Sequence, residues 1–186
     1  MRLSAGQKAL AFDTTDIFGK KIALNETLHQ KILLSFFRYA SCPLCNLRVN
    51  HLIRNFEKMS ASGLTVIAIF QSPIESIRTY VGKQDAPFQI IADPHQLLYK
   101  KYGVTGSMLG MLKSSLRIKD ISQSFSLGFL PGKIEGSFTM VPADFLIDKN
   151  FVINTAFYGK DLGDHLPFDN IDSWLDTQAK HEPAAS

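Results

Sequence analysis

Cys42-Pro43-Leu44-Cys45 is the stretch of this chain best equipped for chemistry, and it holds the only 2 cysteines in the sequence. Thiols at this spacing can attack, exchange and close disulfides, or bind a soft metal. Pro43 suits the first position of a helix, where its missing N–H is no loss and its φ is already helical. Ser41 or Cys42 would then be the N-cap, with the free amides and dipole of the first turn facing the Cys42 sulfur. A free thiol has a pKa of about 8.5, so only a few per cent is thiolate at neutral pH. Bringing it to about 7 takes roughly 2 kcal/mol in favour of the charged form. The helix start supplies part of this, and Arg38 supplies more if its guanidinium turns toward the loop. The alternative for Arg38 is a solvent-facing side chain at a strand end. Cys42 is therefore read as the attacking thiol and Cys45, one turn inward, as the resolving one.

Two other readings compete. A closed zinc site needs four ligands, from a second CxxC or a spaced histidine pair, and the sequence has neither. His29, His51, His95, His165 and His181 are scattered, and His51 lies six residues past Cys45, off its turn of the helix. A non-enzymatic pair carrying a soft metal such as copper(I), or two inert buried thiols, remain as alternatives. CxxC between a strand and a helix is a redox pattern, and neither a cofactor nor a metal is expected with it. His165 beside Asp161 and Asp164 suggests acid–base work, but loop composition alone accounts for it, and a structural role is expected.

The elements that must hold the thiols follow from periodicity. Ile32–Phe37 is a short apolar run bounded by charge, a buried strand, and Val49, Leu52, Ile53 and Phe56 then recur at helical spacing to about Met59. Leu64–Phe70 is a second strand buried on both faces. Ser72 is expected to cap a helix with Pro73 at its first position, running to about Val81. Phe88–Ala92 is a third strand, and Asp93-Pro94 opens a helix reaching Tyr102. This alternation gives an α/β sheet with parallel neighbours and active residues at the carboxyl ends of its strands. Ala9–Phe12 and Lys21–Leu24 read as an N-terminal hairpin, and 140–148 with 151–158 as an antiparallel pair closing the sheet. A helix from about Phe168 to Thr177, with Ile171, Trp174 and Leu175 inward, ends the fold, and the tail from Ala179 is expected to fray.

The segment 105–139 breaks the rhythm. It carries Lys113, Arg117, Lys119 and Lys133 against Asp120 and Glu135, with Met108, Met111, Leu112 and Leu116 on one helical stripe. A basic amphipathic stretch can meet a membrane surface or a partner groove. The reading preferred here is an insertion that packs its stripe over an edge of the core.

Bulk properties set limits. At 186 residues, 45% hydrophobic and 20% charged, the chain has the composition of one ordinary globular domain. A formal charge of +3 does not argue for nucleic acid. The run Val66–Phe70 is far too short to span a bilayer, and the N-terminus has no apolar signal-like stretch. The expectation is a cytoplasmic protein whose thiols are kept reduced between turnovers.

AGQKALAFDTTDIFGKKIAL resembles the amino-terminal hairpin of the alkyl hydroperoxide reductase and thiol-specific antioxidant (AhpC/TSA) family, the peroxiredoxins. FFRYASCPLC, LTVIAIFQSP, IADPHQLLYKKYGV and VPADFLIDKNFVI continue the likeness in order, over most of the chain outside the insertion. The nearest likeness is to a peroxiredoxin-like branch with an FxRxxxCPxC site, here Phe36, Arg38, Cys42, Pro43 and Cys45. The resemblance implies a thioredoxin-like fold: a central mixed β-sheet flanked by helices, an N-terminal β-hairpin extension and an insertion at 105–139. One domain would span 1–178, with a tail at 179–186. It further implies that Pro142, preceded by Val141, is a cis-proline facing the CxxC pair and exposing a backbone edge to a substrate strand.

The departures also carry information. Peroxide-reducing members of the family place a Pro seven and a Thr or Ser three residues before the reactive cysteine, where this chain has Ser35 and Tyr39. They also set an arginine beside it from the strand where Pro142 sits. These groups hold peroxide oxygens and stabilise developing charge. The implied function is a thiol oxidoreductase with antioxidant and disulfide-reductase activity; the alternative is a peroxidase working through a Cys42 sulfenic acid. Substrates would be protein disulfides or hydroperoxides, and the donor a thioredoxin- or glutathione-type thiol. A homodimer is admitted; nucleic acid and membrane contact are not expected.

Overall fold

The computed structural model describes residues 1–181. Seven strands and six helices run in the order β1 (Phe12–Thr15), β2 (Lys21–Leu24), β3 (Lys31–Phe36), α1 (Pro43–Ala61), β4 (Leu64–Phe70), α2 (Ile74–Tyr80), β5 (Gln89–Ala92), α3 (Leu97–Lys101), α4 (Met108–Lys113), α5 (Ile118–Ser126), β6 (Ala143–Ile147), β7 (Ile153–Tyr158) and α6 (Phe168–His181). The main sheet has the order β5-β4-β3-β6-β7, parallel across β5-β4-β3 and antiparallel across β3-β6-β7. β1 and β2 form a separate antiparallel pair. This is the mixed sheet with an N-terminal extension that the sequence implied.

The central strand β3 is buried along its whole length, because the sheet is covered on both faces. Alternate residues serve two cores. Leu33, Val66, Phe70 and Leu146 pack with Val49 and Leu52 of α1 and with Ile171 and Leu175 of α6. Ile32, Leu34, Phe36, Ile69 and Phe145 pack with Phe12, Leu24, Tyr99 and Tyr102 on the other side. The Tyr99 hydroxyl lies 2.6 Å from the Phe37 carbonyl and 2.9 Å from that of Ile69, fixing the carboxyl ends of β3 and β4 where the thiol loop begins.

Several boundaries differ from the sequence reading. The first strand begins at Phe12 because Ala9 is used elsewhere: its N–H bonds the Phe151 carbonyl at 2.9 Å, and Lys8 bridges Val152. Ser72 does not cap α2. Its hydroxyl accepts from the Ala40 N–H at 2.9 Å, bracing the thiol loop, and Pro73 takes the N-cap position. α3 starts later than Asp93, whose carboxylate accepts from the Leu97 and Leu98 amides and so organises the turn before it. Residues 179–181 continue α6; the remainder of the expected frayed tail lies outside the described residues.

The segment 105–139 corrects an expectation. Met108, Leu112 and Leu116 do not pack over the core edge but face solvent. The small residues Gly110 and Ser114 take the inward positions, because Gly110 lies close against the Lys160 carbonyl and the Val141 side chain. Among the described residues no helix is long and apolar enough to cross a membrane.

Candidate active site

Cys42 lies at the end of the loop that leaves β3 and is the N-cap of α1, with Pro43 at the helix start. The loop is held from several sides. Cys42 N–H bonds the Tyr39 carbonyl at 3.1 Å. The Asn46 side-chain amide donates to the carbonyls of Ala40 at 2.7 Å and Cys42 at 3.0 Å, and Gln84 in turn donates to the Asn46 side-chain oxygen. Both cysteines are free thiols and both are buried.

Arg38 turns inward. Its Nη1 donates to Cys42 Sγ at 3.2 Å and its Nη2 to the Phe138 carbonyl at 2.7 Å. The guanidinium also lies over the Tyr39 ring, 4.8 Å from its centre. Of the two orientations open in the sequence, the side chain takes the one beside the sulfur. Burial works against its charge, but the neighbouring sulfurs outweigh that and its pKa is raised.

The two thiols are driven apart in acidity. Cys42 is lowered from the ordinary thiol range to about 6, first by a hydrogen bond from the Cys45 thiol. Burial opposes this, while the Arg38 charge and the Cys45 and Leu44 amides at the start of α1 support it. Cys45 is raised well above its usual value, by burial and by donating to Cys42. At pH 7 a thiol of pKa near 6 is about nine-tenths ionised. Of the pair, Cys42 is thus the sulfur favoured as thiolate and Cys45 the one favoured as thiol.

A cleft of about 260 Å³ leads to the sulfur, lined by Arg38, Cys42, Pro43, Ile121, Phe125 and Leu162 among others, with a mainly apolar surface. A strap at 133–139 crosses beside it, pinned by side chains from the thiol loop, the end of β4 and α2. Ser41 Oγ donates to the Lys133 carbonyl at 2.6 Å and Ser76 Oγ to Glu135 at 2.6 Å. The Gln71 carboxamide makes a two-way pair with the Ser137 backbone, at 2.8 and 3.0 Å. Ser41, Asn46, Gln71 and Ser76 are the supporting residues that sequence reasoning missed. The partners of Ser41, Gln71 and Ser76 lie 59 to 92 residues away, where no local pattern announces them, while Asn46 bonds carbonyls four and six residues back in the loop.

Val141 and Pro142 require a correction. No peptide bond among the described residues is cis, so the Val141–Pro142 bond is trans. The chain arrives extended, with Met140 bridged to Gly106, and continues directly into β6, so nothing offsets the roughly 0.5–1 kcal/mol that disfavours a cis X–Pro bond. Nor is the edge exposed. The Pro142 carbonyl accepts from the Gly159 N–H at 2.8 Å, and both residues are buried.

His165 pairs with neither of the aspartates beside it in sequence. Its Nδ1 lies 3.0 Å from Asp144 of β6, which also accepts from the Leu166 N–H at 2.7 Å and from the Ser35 hydroxyl. Asp161 and Asp164 instead hold Arg117. Asp144 is fully buried, yet its pKa is lowered: His165, Arg48 and the Ser35 hydrogen bond together outweigh desolvation. A lone acid inside the apolar run of β6 was the signal for it. His51 lines a separate cavity with Arg48, Arg117 and His165.

A thioredoxin-like sheet presenting a CxxC pair at the start of a helix, with one sulfur made acidic, defines a thiol-based oxidoreductase. Comparison with known proteins names the group more closely. The AhpC/TSA family profile matches residues 5–156, and the chain belongs to that family. Peroxiredoxin Bcp of Escherichia coli (strain K12) is 26% identical over 120 residues, covering 64% of this chain and 77% of that protein. Among solved structures, peroxidoxin BcpB from Mycobacterium tuberculosis superposes with a TM-score of 0.67 at 14% identity, covering 98% of this chain and 100% of that one. A thiol peroxidase from Chromobacterium violaceum gives 0.66 at 17% identity, covering 96% and 90%. At these identities the structural likenesses establish the fold.

Proposed function

We propose that the chain is a thiol-dependent peroxidase in which Cys42 attacks a hydroperoxide and Cys45 resolves the product. The observation that carries this is the inward Arg38, 3.2 Å from the Cys42 sulfur in a buried, mainly apolar cleft. It replaces the arginine that the sequence lacks at Pro142. The Cys42 thiolate takes the terminal hydroperoxide oxygen, the O–O bond breaks, and the alkoxide or hydroxide leaves with a proton from solvent as alcohol or water. Arg38 stabilises the charge that grows on the leaving oxygen; its buried Nε–H has no partner among the described residues and is a further donor. The Cys45 sulfur then attacks the Cys42 sulfenic acid, water departs with the Cys45 proton, and the disulfide closes.

Two electrons and two protons from a thioredoxin- or glutathione-type thiol donor return the pair to its reduced state, in a cytoplasmic setting. Thiol–disulfide exchange therefore belongs to the recycling half of the cycle. Direct reduction of protein disulfides is disfavoured by the burial of Cys42 and by the paired backbone of Pro142. The test supplies reduced thioredoxin or dithiothreitol and compares hydrogen peroxide and an organic hydroperoxide with insulin disulfide as acceptors. Hydroperoxide turnover that outruns insulin reduction is expected; the reverse order would overturn the reading.

A further inference from the structure

Ten of the 13 exposed large hydrophobic side chains among the described residues lie between Met108 and Phe138. Met108, Leu109, Leu112, Leu116, Ile118 and Leu130 each leave 63% or more of their surface in solvent. The apolar stripe of segment 105–139 is therefore displayed, whereas α1 and α6 bury theirs. The segment's exposed charges are lysines: Arg117 is shared among Asp120, Asp161 and Asp164, and Glu135, which keeps its own charge, is half-buried. Asp120 is held by Arg117 at 2.9 Å and Glu135 by the Ser76 hydroxyl, whereas Lys113, Lys119 and Lys133 are exposed and make no ion pair among the described residues.

We infer that this face docks the protein on a lipid surface bearing anionic headgroups. Protruding aliphatic side chains beside unpaired lysines fit the acyl boundary and the charged headgroups above it. The most exposed side chains of the stripe, Met108, Leu109, Leu112, Leu116 and Ile118, are non-aromatic and its unpaired cations are lysines, whereas a protein-interface core is rich in aromatic residues and Arg and poor in Lys. The patch's exposed aromatics, Phe125 and Phe138, stand at the cleft and beside Arg38. A second copy of the chain fits less well. A two-fold interface on this patch would bring two sets of unpaired lysines into one buried contact. The surface is continuous with the active site: Phe125 both lines the Cys42 cleft and stands exposed, so a docked bilayer meets the cleft mouth.

The test is sedimentation of the full chain with vesicles of phosphatidylcholine, with and without phosphatidylglycerol. Its readout is independent of any peroxidase activity. Binding to the anionic vesicles that weakens with added salt is expected. The double variant Leu112→Ser/Leu116→Ser, whose side chains face solvent and do not line the cleft, should lose about tenfold in binding, as should Lys113→Glu/Lys119→Glu. Both should keep the circular dichroism of the parent and its hydrogen peroxide turnover. Failure of the parent to bind anionic vesicles at low salt would overturn the proposal. So would a parent that is dimeric in solution and becomes monomeric in the Leu112/Leu116 variant, which would make the face a self-interface.

Discussion

Arg38 bonds the Cys42 sulfur through one terminal nitrogen and the Phe138 carbonyl through the other, at 3.2 and 2.7 Å. One side chain thus joins the Cys42 sulfur to the strap that crosses beside it. Arg38→Met should remove both links. The thiolate titration midpoint of Cys42 should rise by about one unit and peroxide kcat/KM should fall on the order of tenfold at pH 7. Thiolate ultraviolet absorbance against pH reads the first, and steady-state kinetics the second. Arg38→Lys should restore part of the acidity but less of the rate.

The pH dependence follows from the pair. The Cys42 value near 6 lies below that of a free thiol, so the reactive form is present above pH 6 and lost as pH falls through it. The rate of Cys42 oxidation should therefore climb to a plateau by about pH 7, not near the 8.5 of a free thiol. In Arg38→Met the whole limb should move upward. A limb in the parent protein that coincides with that of glutathione would contradict the assignment.

Cys42→Ser should abolish turnover with every acceptor. Cys45→Ser should perform one oxidation and stop at a Cys42 sulfenic acid, trapped as a dimedone adduct and seen by mass spectrometry. With the donor left out, a mixed disulfide to insulin and no dimedone adduct after hydroperoxide would indicate an exchange enzyme instead.

Asp144 is a buried charge held by Ser35, His165 and the Leu166 amide. Asp144→Ala leaves those partners unmet and should cost about 3–5 kcal/mol in urea unfolding. Because its folded pKa is lowered, its contribution is present above the ordinary carboxylate value and disappears as pH falls below about 4. The stability difference between parent and variant should therefore narrow on acidification.

Gly136 holds a positive φ of 69°, and an added Cβ would sit 2.7 Å from the Gln71 carboxamide that pins the strap. Gly136→Ala should cost about 1–2 kcal/mol and loosen the strap from Gln71. Alkylation of reduced Cys42 by iodoacetamide should then quicken severalfold without a change in the Cys42 acidity. An unchanged alkylation rate would show that the strap does not control access.

The parts legible in the sequence are those fixed by local rules. An apolar run ending at CPLC places Cys42 at a strand–helix junction, and Pro43 sets the helix start to within one residue. The order of strands followed from periodicity and from the family likeness. Contacts made across long stretches of chain were not legible: the inward turn of Arg38 depends on Phe138, a hundred residues on, and the strap on Gln71. The stripe at Met108–Leu116 shows the complementary failure. Spacing reveals that a helix has an apolar side but not whether anything lies against it. At Pro142 the likeness supplied a bond geometry that the extended approach to β6 does not need.

Closure over the sulfur has a cost in traffic. Cys42 is buried beside a strap held by Ser41 and Gln71. On the peroxidase reading a slender oxidant would reach it through the cleft, whereas a bulky electron donor, which must touch the disulfide itself, would need the strap to lift. Oxidation and recharging then require different shapes of one molecule, and the slower change of shape, not the sulfur chemistry, would pace the cycle when oxidant is plentiful.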